Sequence, residues 1–362
     1  VKSFFTLSPA AASSKSELAA FHRQLTPFTA LLLVNLGSPE APTVPAVRRY
    51  LRQFLTDPRV VELPRWLWRI ILELAILPRR PKESAAKYSA IWQEGGSPLL
   101  NGTAQLAKAL QQALGSDGPR VAWAMRYGKP SVASVLDQLG AEGLRRLLVV
   151  PLYPHYCAAT TASVFDAVTE ALRSWRDIPE VRFVRNWHDH PLWVGRVAQT
   201  IRESWTSNGE PEQLLFSFHG MPQKSLLAGD PYHCECHKSA RLIAEALGLP
   251  RQKWQVTFQS RFGPSQWLQP YTQDTLESLA RSGVKRVAVV CPGFVIDCLE
   301  TLEEIAQECR SAFLAAGGTS FQYIPCLNAD PEWARDFAAI LTPHLAGWPS
   351  RSSITWPGES DE

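Results

Sequence analysis

No stretch of this 362-residue chain is long and apolar enough to cross a bilayer. Its first residues, VKSFFTLSPAAASSKSELAAF, contain no h-region followed by a cleavage site, and residues 1–27 read as an N-terminal extension outside the folded body. Low-complexity blocks are missing. Neither sign of charge is in excess: 37 Lys and Arg against 34 Asp and Glu leave a formal net charge of +3. That is too little to argue for nucleic acid, and no nucleic-acid motif is present. The seven cysteines are odd in number and irregularly spaced, which speaks against a disulfide framework and for reduced thiols in a cytoplasmic compartment. A dinucleotide glycine fingerprint, a Walker loop and G-x-S-x-G are all absent, which removes the obvious nucleotide-binding and acyl-transfer classes.

What is present is globular: 45% hydrophobic and 20% charged residues, with 13 Trp, a side chain suited to flat aromatic ligands and wet apolar surfaces. The length suggests two lobes, and an internal repeat supports them. ALLLVNLGSP (Ala30–Pro39) matches QLLFSFHGMP (Gln213–Pro222), MRYGKPS (Met125–Ser131) matches SRFGPS (Ser260–Ser265), and GLRRLLVVPLYP (Gly143–Pro154) matches GVKRVAVVCPGF (Gly283–Phe294). The strands are near-continuous apolar runs, as in buried parallel sheets, and alternate with helical patterns. The expected fold is α/β, with two Rossmann-like lobes facing each other across a cleft: residues 28–205, then 206–345, then a tail of 346–362. Residues 60–82 form an insertion in the first lobe. Its apolar character runs round the helix, with Trp66, Trp68, Ile70, Ile71, Leu72, Leu74, Ile76 and Leu77, and it ends on Arg79, Arg80 and Lys82. It reads as an apolar lip that touches a membrane surface or a large flat ligand rather than as a plain core helix.

Chemistry gathers in the second lobe. RVAVVCPGFVIDCLETLEE (Arg286–Glu304) is a buried strand followed by a helix expected to begin near Asp297. At 3.6 residues per turn, Asp297, Glu300, Glu304 and Glu308 share one stripe, and Leu299, Leu302, Ala306, Cys309 and Phe313 the opposite one. A capping box explains Asp297 and Glu300 but not the other two acids. His219 closes an earlier strand of the same lobe. In a parallel sheet both features lie at one edge, where such sheets hold ligands. Histidine and carboxylates without a nucleophile point to proton transfer or metal handling.

Together with VNLGSPEAP (Val34–Pro42), GGSPL (Gly95–Leu99), MRYG (Met125–Gly128), PLYPHY (Pro151–Tyr156), FSFHGMP (Phe216–Pro222), GDPY (Gly229–Tyr232), FQSRFGPSQWLQP (Phe258–Pro270) and CPGFVIDCLETLEE (Cys291–Glu304), the chain resembles the ferrochelatases of proteobacteria over nearly its whole length. The resemblance implies insertion of Fe2+ into protoporphyrin IX to give protohaem, the last step of haem biosynthesis, with release of two protons. It implies catalytic roles for His219, Glu300, Asp297 and Glu304, with His219 and Glu300 touching the substrate Fe2+. Leu36, Arg126, Tyr127, Tyr153, Trp267 and Phe294 match positions lining the macrocycle pocket, and Arg80, Tyr88 and Ser97 match positions near the propionates. No cofactor is required by this reading. The implied location is the cytoplasm, with peripheral contact at the inner membrane. The alternatives are a coproporphyrin III ferrochelatase, which the apolar lip disfavours, and a non-catalytic haem-binding or delivery protein, which the intact His219 and Glu300 disfavour.

Some residues depart from the family pattern. Cys157-Ala158 stands where many relatives have Ser-Cys, and Cys298 where some have His. A [2Fe–2S] cluster on Cys157, Cys234, Cys236 and Cys309 or Cys326 is disfavoured against ordinary thiols. His233-Cys234-Glu235-Cys236-His237 then reads as a polar turn before a helix over Lys238–Leu247. His188 and His190 read as a polar loop before the helix that starts at Pro191 rather than as a metal pair.

Overall fold

The computed structural model describes residues 26–348 apart from 262 and 264. Most of the expected N-terminal extension and most of the expected tail lie outside the described residues. The chain begins with β1 (Phe28–Gly37), then α1 (Val44–Leu55), α2 (Arg65–Ile71) continuing into a π-turn (Leu72–Ile76), α3 (Arg80–Ile91), α4 (Pro98–Leu114), β2 (Arg120–Tyr127), α5 (Val132–Ala141) and β3 (Leu144–Pro151). A second π-turn (Ala158–Ala162) leads into α6 (Ser163–Leu172), followed by β4 (Glu180–Phe183) and α7 (Pro191–Asn208). The second half runs β5 (Gln213–His219), α8 (Gln223–Leu227), α9 (Tyr232–Leu247), β6 (Trp254–Gln259), α10 (Thr272–Arg281) and β7 (Arg286–Val290). A π-helix (Glu300–Cys309) then passes into α11 (Arg310–Ala315), before β8 (Ser320–Ile324) and α12 (Pro331–Leu341).

The repeat is structural. The two sheets have the orders β2-β1-β3-β4 and β6-β5-β7-β8, the same topology twice, all parallel. One of the three sequence matches falls on the wrong residues. Met125 N donates to Pro130 O at 2.7 Å, and Phe258 N donates to Pro270 O at 2.8 Å. The partner of Lys129-Pro130-Ser131 is therefore Gln269-Pro270-Tyr271, not Gly263–Ser265, because the second lobe carries a longer loop after β6. The glycines after β1 and β5 have one shared cause. A Cβ on Gly37 would lie 1.8 Å from Tyr127 O, and one on Gly220 would lie 2.6 Å from Gln259 O. In each lobe the first strand's exit passes too close to its neighbour for any side chain.

Sequence also sets the helix starts. Pro sits in the first turn of α1, α4, α7 and α12, where its missing N–H costs nothing. Asp330 caps α12 by accepting from Glu332 N and Trp333 N. The lobes do not keep their own helices. α7, at the end of the first half, packs on α9 and β8 of the second, while α12, last in the chain, packs on α4 of the first and on α7. Trp187, Trp333 and Phe337 stack at this crossing, with ring centroids 4.3 Å apart for Trp187–Phe337 and 4.8 Å for Trp333–Phe337. One core cluster therefore runs from Leu31 and Leu106 in the first lobe to Phe216 and Val290 in the second.

Candidate functional site

Parallel strands deliver their C-terminal residues to one edge, and there β5 ends on His219 and β6 on Gln259, with Ser260 next in the chain. His219 Nδ1 lies 2.7 Å from Gly220 O. A carbonyl only accepts, so Nδ1 carries the proton and Nε2 of the neutral ring is left with its lone pair. The His219 and Phe294 ring centroids are 6.5 Å apart.

The acidic helix is a π-helix, and that changes which residues share a face. Its buried residues are Thr301, Glu303, Ile305 and Cys309, and Phe313 follows them into the core. The wider turn replaces the expected inner stripe through Leu299, Leu302 and Ala306, which are only half-buried. It also divides the expected acidic ladder. Glu304 turns to the β6 edge, where Ser260 N donates to Oε1 at 2.7 Å and the Ser260 hydroxyl donates to Oε2. Glu308 leaves the stripe and joins Glu303 on Lys87 of α3, at 2.7 and 2.9 Å. Burial raises the Glu304 carboxyl above its ordinary range and the Glu300 charge adds to this, against the Ser260 hydrogen bonds and the His219 charge. Burial likewise raises Glu303 in spite of Lys87. Ser260 holds φ 64°, an unusual value for a residue with a side chain, and its two bonds to Glu304 fix it there.

Asp297 lies before the helix, and no capping box forms. Its carboxylate accepts from Thr301 Oγ1 at 3.0 Å, from Asn328 Nδ2 at 2.7 Å and from the Tyr323 hydroxyl, while its own N–H donates to Asn328 Oδ1 at 2.9 Å. It ties the start of the helix to the loop after β8. Gln259, buried, donates to Glu300 O at 2.8 Å and accepts from Ser217 Oγ at 2.7 Å. Burial pushes the phenols of Tyr50 and Tyr88 well up, and the Glu300 charge adds to both. It acts in the same way on the buried thiol of Cys298. The Glu300 charge is thus felt by Tyr50 and Tyr88 of the first lobe and by Glu304 of the second.

The residues expected to line the macrocycle come from both lobes. Leu36 and Phe294 are half-buried against the shared core, and Tyr153 packs on the first-lobe core. The Tyr153 hydroxyl has no hydrogen-bond partner among the described residues. Trp267 pairs with Pro222 across the exit of β5. Tyr88 is buried, edge-on to Tyr50 and Trp92 at 6.4 and 6.3 Å, and Ser97 is buried at the start of α4. Arg80 opens α3 on the surface. Two expected wall residues are committed elsewhere. The Arg126 guanidinium donates to Asp57 Oδ2 at 2.5 Å and to Ser163 Oγ at 2.6 Å, and the buried Tyr127 hydroxyl donates to Asp57 Oδ2 at 2.7 Å. Asp57 was not legible as a functional residue. The Asp-Pro step before the lip is the one signal that marks it.

The lip is divided by its packing. Trp68, Leu72 and Leu77 form a small core with Leu51, Leu55 and Val61, and Trp68 Nε1 donates to Leu55 O at 2.5 Å. Trp66, Ile70 and Leu74, one turn apart, are 70%, 51% and 77% exposed, whereas Trp68 is 9% exposed. No helix among the described residues is long and apolar enough to cross a membrane. Cys234 is exposed and Cys236 buried, and among the described residues no three His, Cys, Asp or Glu side chains form a metal-holding group. The expected polar turn at His233–His237 is instead the opening of α9, which starts at Tyr232. His190 caps α7 by accepting from Leu192 N, as a loop residue before a helix should, but His188 is buried beside Glu235.

The ferrochelatase family model matches residues 28–345. The ferrochelatase of Aromatoleum aromaticum is 57% identical over 323 residues, 88% of either chain. That of Azoarcus sp. is 59% identical over 321 residues, again 88% of either chain. Among solved structures, SirB from Bacillus subtilis with Fe3+ aligns at a TM-score of 0.52 with 13% identity, over 88% of this chain and 96% of that one, a likeness of fold.

Proposed function

The chain belongs to the ferrochelatase family, and we infer that it inserts Fe2+ into protoporphyrin IX, releasing protohaem and two protons. The observation that carries the mechanism is the hydrogen bond from His219 Nδ1 to Gly220 O. It commits the neutral imidazole to the tautomer with a free Nε2, the form able to take a weakly acidic pyrrole proton or to hold the metal. Glu304 shares a field with His219 and binds a proton more readily than an ordinary carboxylate, which suits it to take the proton onward. Glu300, between the two lobes, supplies the negative charge that Fe2+ needs beside the ring. Asp297 acts as a positioning residue, its carboxylate accepting from Thr301, Asn328 and Tyr323. Arg126 and Tyr127 belong to the pocket's support through Asp57.

The exposed Trp66, Ile70 and Leu74 favour a porphyrin with vinyl groups over one with two further propionates, which would need added cations. The same face, with Arg65 and Arg69 beside it, suits peripheral contact with a membrane surface. Steady-state metalation with protoporphyrin IX and coproporphyrin III tests the reading. His219→Ala and Glu300→Gln should each slow turnover about a hundredfold or more, with porphyrin affinity largely kept. Faster turnover of coproporphyrin III, or near-normal rates in both folded variants, would overturn it.

A further inference from the structure

The segment His233-Cys234-Glu235-Cys236-His237 presents two chemistries on two faces of α9. Glu235 and Cys236 turn inward: Glu235 accepts from Tyr156 N and from Asn186 Nδ2, both at 2.7 Å, and Cys236 is fully buried. That polar seam fixes the first turns of the helix against the first lobe. His233 and His237 share another face. Their ring centroids are 4.5 Å apart, and the His233 ring lies nearly parallel to Phe258 at 5.8 Å and 17°. Among the described residues no hydrogen bond engages either imidazole, and no third His, Cys, Asp or Glu joins them.

We infer that His233 and His237 form a binding site for a divalent first-row transition metal, separate from the His219–Glu300 centre, with water completing the coordination. Residues four apart on a helix bring two imidazoles within reach of one ion. Stacking on Phe258 and anchorage through Glu235 hold one ring and its backbone in place before the metal arrives. Imidazole suits Zn2+, Cu2+, Ni2+ and Fe2+, and a site of this type holds Cu2+ and Zn2+ more tightly than Fe2+. The pair therefore captures metals that compete with iron rather than supplying the substrate ion.

Calorimetric titration with Zn2+ alone, on the full chain without porphyrin, tests this with three proteins. Wild type and a His219→Ala, Glu300→Gln double variant should both show a Zn2+ equivalent that is missing from a His233→Ala, His237→Ala double variant. The last protein should keep wild-type turnover of Fe2+ and protoporphyrin IX. His237 is exposed, so His237→Gln should fold normally and still weaken that equivalent at least about tenfold. Equal Zn2+ binding with and without the two α9 histidines, unchanged affinity in His237→Gln, or tighter binding of Fe2+ than of Zn2+ at this site would overturn the proposal.

Discussion

Replacing Asp57 should loosen the root of the lip and the pocket support together. Its side chain is 3% exposed and stands beside the Arg126 guanidinium. Oδ2 accepts from Arg126, Tyr127 and Ser163, and Oδ1 from Arg59 N at 2.8 Å. Its carbonyl accepts from Val60 N and Val61 N, the first residues of the insertion. Asp57→Ala would leave Arg126 without its counter-charge, a loss of about 3–5 kcal/mol for a buried pair. Arg126 is 19% exposed, and water reaching it places the figure near the lower end. Asp57→Asn keeps the size but turns an amide donor towards a donor, at a cost of about 1–3 kcal/mol. Burial alone would raise the Asp57 carboxyl, but hydrogen bonds from Ser163, Tyr127 and Arg59 N and the Arg126 charge outweigh it and lower the pKa. A lowered carboxyl stabilises the fold above its unfolded value, near 3.8, and that contribution disappears as pH falls through the folded value. Urea midpoints at a series of pH values should therefore show the gap between wild type and Asp57→Asn widest near neutrality and narrowing in acid. A gap independent of pH, or an Asp57→Ala loss below about 1 kcal/mol, would refute the reasoning.

Three further outcomes follow from the packing. Trp66→Ser with Ile70→Ser and Leu74→Ser should leave stability within about 0.5 kcal/mol yet weaken liposome binding and raise the protoporphyrin KM, whereas Trp68→Ala alone should cost about 3–5 kcal/mol; unfolding curves and vesicle sedimentation separate the two. Lys87→Met should cost roughly 1 kcal/mol by leaving Glu303 unpaired, and adding Glu303→Gln should recover most of it in a double-mutant cycle. Ser260→Ala should destabilise more than Ser260→Gly, by roughly 0.5–1 kcal/mol, because both lose the hydroxyl bond to Glu304 but only glycine accepts φ 64° without strain.

The repeat was legible because buried parallel strands are written as apolar runs, and the strand ends carrying His219 and Leu36 came with it. The acids of the helix after β7 were legible as residues but not as a face. A period of 3.6 put Glu308 with Glu300, and the π-helix put it on Lys87 instead. Nothing local in CLETLEEIAQEC announces that wider turn. Asp57, Ser260 and Lys87 were missed for a common reason: their partners lie 106, 44 and 216 residues away for Ser163, Glu304 and Glu303 respectively, and side-chain pairing at such separations leaves no periodic trace. The lip was visible in composition, yet which tryptophan faces water depended on Leu51 and Leu55 of α1.

The crossing of α7 and α12 between the halves bears on how this protein is made and how it moves. The first sheet does not acquire the helix that covers α4 until Pro331–Leu341 has been synthesised, so the first half cannot complete its core before that helix has left the ribosome. A fragment cut between the halves would expose Trp187 on one piece and Trp333 and Phe337 on the other. In the finished molecule the same crossing resists rotation of one half about the other. The ion pairs from Lys87 of α3 to Glu303 and Glu308 of the acidic helix lie outside that crossing and can part without disturbing the shared interior.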